Sequence, residues 1–131
     1  FVSTRHLMFR AVRVQFLEFV SHEAIEDMIF YFFTHTMKKY IAERDLIPKA
    51  NLLEVSFDQM EADSGGQIER MYKELNLPGY AAAKPNFDEY LVSVKNYKKN
   101  KFRNIRPATK ERINKEWKFA FDEWGYEIEQ Y

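Results

Sequence analysis

A concentration of positive charge near the end of the chain is the feature with the most direct chemical meaning. Between positions 95 and 118, two acidic residues, Glu111 and Glu116, stand among ten basic ones: Lys95, Lys98, Lys99, Lys101, Arg103, Arg106, Lys110, Arg112, Lys115 and Lys118. Guanidinium and ammonium groups form charge-assisted hydrogen bonds with phosphate oxygens, so this stretch suits a phosphorylated ligand. A run of charge can equally be a solvated face that binds nothing, and the sequence leaves that alternative open.

Other reactive side chains give little chemistry. The chain has no cysteine, which excludes disulfides, thiolate zinc sites and cysteine nucleophiles. The histidines His6, His22 and His35 lack metal-ligand spacing, so we expect no metal site. The carboxylates Glu23, Glu26 and Asp27 follow a helix-capping serine and are interpreted as first-turn helix charges, not as an acid–base pair. No catalytic residue can be identified from these patterns.

The overall composition limits the possible partners. Lys plus Arg and Asp plus Glu number 20 each, and this balance removes the whole-protein electrostatic argument for nucleic acid or an anionic membrane. No apolar run approaches the roughly 20 residues of a membrane span. Apolar residues make up 46% of the chain, enough for a packed core. With no signal peptide visible, we expect a cytoplasmic protein.

Most of the chain has helical periodicity. Residues 1–20 predict a first helix with a basic face, and Ser21 is a suitable N-cap for a second helix that runs to about Leu46. Further helices are expected at residues 67–75 and 86–97. The last helix follows Pro107, carries an apolar face with Trp117, and stops at Gly125.

One segment, residues 51–57 (NLLEVSF), predicts a β-strand. A lone strand cannot form a sheet, so its partners must be another copy or residues outside this sequence. The chain opens at Phe1 without a Met, in the middle of an apolar–polar pattern. We therefore expect that sequence, and the sheet, lie upstream.

Several segments, taken in order, resemble the C-terminal part of sulfotransferases of bacterial type. Residues 52–60 (LLEVSFDQM) are similar to the family's strand-and-turn segment, and residues 68–78 are similar to the following helix, which ends in Leu-x-Leu-Pro. Residues 96–102 (NYKKNKF) resemble the S-Y-x-K-N-x-Y segment, and residues 116–126 resemble the closing W…F…G-Y. The resemblance covers residues 51–126, and the ordered set is more specific than any one segment.

The chain also departs from the family pattern. Ser56, Phe57, Asp58 and Ser64 stand where Arg, Tyr, Glu and Pro are usual, which indicates a divergent member. Residues 1–4 (FVST) are similar to the tail of an R-x-P-x-x-V-x-x-S segment whose Arg would precede Phe1. The family's phosphosulfate loop and catalytic base would also lie upstream.

The resemblance implies a fold, a donor and a reaction. Residues 1–131 would form the C-terminal part of a single P-loop-like α/β domain, mostly α with one strand, whose parallel sheet lies mainly upstream. The cofactor would be 3'-phosphoadenosine 5'-phosphosulfate, and its sulfuryl group would pass to an unknown hydroxyl or amine acceptor. Because the sulfuryl-binding groups and the base are missing, we expect this part alone to be inactive.

The resemblance also implies which residues hold the 3'-phosphoadenosine end of the cofactor. Ser3 would contact the 3'-phosphate, and the Phe57 ring would lie against adenine. A basic loop would fold over the 3'-phosphate with Tyr97, Lys98, Lys99, Asn100 and Arg106. The alternatives are that Ser3 is a helix cap, that Phe57 is a core residue, and that the loop is a solvated basic face.

A second reading belongs to a different class. The chain could be a freestanding, non-catalytic helical module whose basic loop binds nucleic acid or protein; the sulfotransferase reading expects no nucleic acid. The sulfotransferase reading further predicts an apolar surface on residues 1–20 and the strand, where the upstream sheet would pack. Such a surface would promote self-association of the isolated chain.

Overall fold

The computed structural model describes residues 1–98 and 105–128, and these residues are mostly helical, as predicted. The seven α-helices in these ranges are α1 Val2–Leu7, α2 His22–Glu43, α3 Phe57–Ala62, α4 Ser64–Glu74, α5 Tyr80–Val94, α6 Pro107–Glu116 and α7 Lys118–Trp124. The chain divides into two compact units. We call Phe1–Ala42 with residues 105–128 the aromatic unit, and residues 43–98 the middle unit.

The aromatic unit is built around the indole of Trp117. Ile25, Ile29 and Phe30 from one face of α2 are buried with it. The indole lies 5.0 Å from the Phe30 ring and 4.0 Å from the Phe33 ring, measured between centroids. Removing this aromatic surface from water is the main stabilising contribution that these residues can make.

Helix α2 follows the sequence prediction closely at its start. The Ser21 hydroxyl accepts a hydrogen bond from the backbone N–H of Ala24 at 3.1 Å, as expected of an N-cap. The α-helix ends at Glu43, a few residues before the predicted end, and a 3₁₀ turn at Arg44–Leu46 follows.

The first segment is helical over a shorter range than predicted. Helix α1 continues through a π-helical stretch at Met8–Val12 and a 3₁₀ turn at Arg13–Gln15. Phe16 then adopts an extended backbone with ψ of 136°. Residues 16–20 are therefore not helical, although a helix was predicted there. Leu7, Val14, Leu17 and Phe19 are exposed on this segment.

The middle unit is held by local contacts. Ser56 and Gln59 form a capping box at the start of α3, and the Asp63 carboxylate accepts from the N–H of Gly66 at the start of α4. Tyr72 of α4 lies 5.3 Å from Tyr80, between ring centroids. None of residues 43–98 is fully buried.

The prediction of a strand at residues 51–57 is wrong for the described structure. Leu52 and Ser56 have extended backbones, but the described residues contain no strand, because nothing in them pairs with this segment. A strand needs the N–H and C=O groups of a partner. Phe57 is the first residue of α3 and not the end of a strand.

The remaining helices differ in their boundaries. Helix α5 begins at Tyr80, after Gly79 in the left-handed region with φ of 86°, and Pro85 lies inside it. The predicted last helix is divided at Trp117 into α6 and α7, and Gly125, with φ of 68°, ends it as predicted. Among the helices described, none has both the length and the apolar character that crossing a membrane requires.

Candidate functional site

One buried carboxylate organises the charged side of the aromatic unit. Glu26 is only 6% exposed, although it carries a charge. Its Oε1 accepts a hydrogen bond from Arg5 Nε at 2.8 Å, and its Oε2 accepts from Arg106 Nη2 at 3.0 Å. Thr109 Oγ1, also buried, donates to Oε2 at 3.5 Å. Both carboxylate oxygens are therefore engaged, as a buried charge requires.

These bonds join three elements that are distant in sequence. Arg5 lies on α1, Glu26 on α2, and Arg106 is the N-cap residue of α6, followed by Pro107 at the first helical position. The Glu26 and Arg106 positions are 80 residues apart. The carboxylate thus fixes the helix that carries Ser3 and the residue that begins α6 relative to each other.

A second ion pair lies next to the first. Arg112 Nη1 donates to Asp27, Arg112 Nε donates to Glu116 at 2.7 Å, and the guanidinium lies 4.0 Å from the Phe30 ring centroid. Partial burial lowers the pKa of Arg112, but the hydrogen bonds to Asp27 and Glu116 outweigh that effect and raise it. Arg112 is therefore a permanently charged structural group at this surface.

An open pocket of about 270 Å³ lies between α2 and the start of α6. Three carboxylates and two guanidinium groups line it, with two small residues: Glu23, Glu26, Asp27, Arg106, Arg112, Ala108 and Thr109. A bond from its own backbone N–H lowers the pKa of Glu23 most; the Ser21 hydroxyl and the charge of Arg106 act in the same direction. Because negative groups outnumber positive ones here, the pocket itself disfavours a phosphate dianion.

The aromatic unit contains two of the predicted cofactor residues. Ser3 is exposed in the first turn of α1, whose N-cap is Phe1, so Ser3 is not the capping residue. The side chain of Arg106 is 62% exposed while it bonds to Glu26. A guanidinium has five N–H donors, so this arginine can bind Glu26 and a second anion together.

The middle unit contains three more of the predicted cofactor residues. Phe57 is the first residue of α3, and its side chain is 66% exposed in the described part of the chain. Tyr97 is 71% exposed just after α5, and Lys98 beside it is also exposed. The predicted residues Lys99 and Asn100 lie outside the described residues.

The sequence interpretation missed the role of Glu26. It treated Glu26 as a first-turn helix charge, whereas in the structure Glu26 is buried beside Ile25 and forms ion pairs with Arg5 and Arg106. The available signal was its position: Glu26 falls within the helical stripe of Ile25, Ile29 and Phe30, where an apolar residue is expected. A charged residue in such a stripe indicates a buried pair.

No group of three or more potential metal ligands occurs in residues 1–98 and 105–128.

Comparison with known proteins gives similarity to two sulfotransferases. The chain is 22% identical over 125 residues to the omega-hydroxy-beta-dihydromenaquinone-9 sulfotransferases of Mycobacterium bovis and of Mycobacterium tuberculosis. The matched region covers 95% of this chain and 32% of each relative, so the chain spans about a third of their length. No family model matches the chain, and no solved structure matches it.

Proposed function

We propose that this chain supplies the 3'-phosphoadenosine-binding part of a sulfotransferase that uses 3'-phosphoadenosine 5'-phosphosulfate. The observation that carries the proposal is the exposure of every described residue of the predicted set: Ser3, Phe57, Tyr97, Lys98 and Arg106. Their functional groups are exposed in the described part of the chain, as contact with a ligand requires. The similarity to two sulfotransferases supports the sulfotransferase part of this proposal.

The residues fit one end of the cofactor by their chemistry. Exposed rings at Phe57 and Tyr97 can stack on adenine, and Arg106 and Lys98 can donate to a phosphate dianion. The Ser3 hydroxyl can add a further donor. When bound, the cofactor supplies the sulfuryl group, and the part played by these residues is to bind and orient its nucleotide end.

The names of the relatives suggest the class of acceptor. The relatives are named for a substrate that carries a hydroxyl group, so we propose a hydroxyl acceptor for this protein, with an amine as the alternative. The groups that bind the transferred sulfuryl and deprotonate the acceptor are assigned to no residue of this chain, because the family motifs that carry them lie outside the segments that the resemblance covers.

Titration of 3'-phosphoadenosine 5'-phosphate tests the proposal. We expect the full-length protein to bind it and the Lys98→Ala/Lys99→Ala variant to bind it at least about tenfold more weakly, because each charge-assisted bond to phosphate contributes about 1.5–3 kcal/mol. The matched control is Lys49→Ala/Lys73→Ala, which removes two exposed lysines from the same unit. That variant should bind like the wild type.

Two results would contradict the proposal. Equal affinity of all three proteins would remove the loop from the site, and absence of binding to the wild type would remove the function. A single-stranded oligonucleotide is titrated in parallel. Oligonucleotide binding with a steep salt dependence, without nucleotide binding, would favour the helical interaction module instead.

A further inference from the structure

The Glu26 carboxylate holds an arginine that the proposed function needs. Arg106 is one of the residues assigned to the 3'-phosphate, yet its Nη2 already donates to Glu26 Oε2 at 3.0 Å. The same carboxylate is 6% exposed and also holds Arg5 of α1. A buried carboxylate that accepts hydrogen bonds from two arginines is a rigid support for an exposed guanidinium.

We propose that Glu26 is a positioning residue, which holds the Arg106 guanidinium so that its remaining N–H groups meet the 3'-phosphate of the nucleotide. This inference rests on the proposed function and adds to it the residue that sets the arginine's geometry. Glu26 does not itself contact the nucleotide. It acts through Arg106, and its second bond, from Arg5 Nε, holds the carboxylate itself in place.

The physical reason is the flexibility of the arginine side chain. A long side chain that is 62% exposed occupies many rotamers unless something holds it, and a ligand must then restrict it at a cost in entropy. The ion pair with Glu26 restricts it before the ligand arrives. Arginine suits this double use because its planar group presents donors in fixed directions.

Charge repulsion and side-chain positioning predict opposite effects of neutralising Glu26 on nucleotide binding. A carboxylate near a phosphate repels it, so neutralising Glu26 would strengthen nucleotide binding if charge were the only factor. If positioning dominates, the same change weakens binding. The sign of the effect therefore separates the two roles.

The test compares two nucleotides that differ in one phosphate. With Glu26→Gln in the full-length protein, we expect affinity for 3'-phosphoadenosine 5'-phosphate to fall about tenfold. Affinity for adenosine 5'-phosphate, which lacks the 3'-phosphate, should change less than about twofold. The matched control is Asp27→Asn, the neighbouring exposed acid, whose arginine partner is Arg112 and not Arg106. It should not weaken the binding of either nucleotide, because it leaves the bond between Glu26 and Arg106 in place.

A double-mutant cycle with Arg106→Gln shows whether Glu26 acts through that arginine. The effect of Glu26→Gln should disappear in the Arg106→Gln background. An effect that persists there, an equal loss for both nucleotides, or wild-type or tighter binding by Glu26→Gln would overturn the inference. If Arg106→Gln itself binds normally, the inference fails while the proposed function stands; if the wild type does not bind, both fail.

Folding is checked by circular dichroism of each variant. If Glu26→Gln is not folded at the titration temperature, Glu26→Asp replaces it. That substitution shortens the side chain by one methylene group. It keeps the negative charge, so it does not reduce the repulsion between this carboxylate and the phosphate. We expect the same selective loss for the 3'-phosphorylated nucleotide, and unchanged affinity would overturn the inference.

Discussion

The aromatic unit and the middle unit are stabilised in different ways. In the aromatic unit, Ile25, Phe30 and Trp117 are buried, and the Glu26–Arg106 bond joins residues 80 positions apart. In the middle unit no described residue is fully buried, and a representative side-chain bond, from the Tyr80 hydroxyl to Glu69, spans 11 positions.

The difference shows what each unit depends on. Long-range burial makes the aromatic unit sensitive to single core substitutions, because a cavity left among interlocking rings does not refill. The middle unit depends on caps, turns and partly buried contacts, each of which contributes little. The predicted cofactor residues are divided between the two: Ser3 and Arg106 in one, Phe57, Tyr97 and Lys98 in the other.

The largest effect is expected from the core of the aromatic unit. Phe30→Ala should destabilise the protein by about 3–5 kcal/mol, since the ring is 1% exposed and packs on Trp117. The matched control is Phe32→Ala on the same helix, where the ring is 59% exposed. It should cost less than about 1 kcal/mol.

Urea denaturation, followed by the fluorescence of Trp117 and Trp124, measures both variants. Equal losses from Phe30→Ala and Phe32→Ala would contradict the burial that distinguishes the two positions. A loss near zero from Phe30→Ala would remove the aromatic core as the source of the unit's stability.

The sequence predicted the elements whose signals are local. Ser21 and the apolar stripe after it indicated α2, and Gly125 indicated the end of the last helix. The apolar stripe could have indicated that Glu26 is buried, but it could not identify the partners, because Arg5 and Arg106 are 21 and 80 residues away.

The strand prediction was wrong for a related reason. Leu52 and Ser56 are extended, as β-rich composition favours, but pairing is not a local property. The cap of α3 could have been assigned to Ser56, because Ser56 and Gln59 have the spacing of a capping box. The two candidate-site residues of α1 and α3, Ser3 and Phe57, were assigned from family resemblance and stay predictions.

A smaller effect is expected in the middle unit. Ser56→Ala removes the hydroxyl that accepts from the N–H of Gln59 at 3.1 Å, and it should cost about 1 kcal/mol of local stability in α3. Ser93→Ala is the control, because that hydroxyl donates to the Tyr90 carbonyl in α5 and caps nothing. Amide hydrogen exchange of residues 57–62 gives the local opening free energy. Unchanged exchange in Ser56→Ala would show that the capping box does not hold α3.

The smallest effect is expected from exposed ion pairs, and it should be the same in both units. Lys84 Nζ lies 2.7 Å from Asp88 in the middle unit, and Lys118 Nζ lies 2.6 Å from Asp122 in the aromatic unit, both one helical turn apart. All four side chains are at least half exposed, so water and salt screen the two pairs alike. Lys84→Gln and Lys118→Gln should each change the melting temperature by less than about 2 °C.

Calorimetry of the two variants at low and high salt measures this change in melting temperature. Because glutamine keeps the helix propensity of lysine, the comparison isolates the charge. A clearly larger loss from Lys84→Gln would mean that the middle unit depends on electrostatics that its exposure does not predict, and the contrast between the two units would then rest on charge as well as on burial.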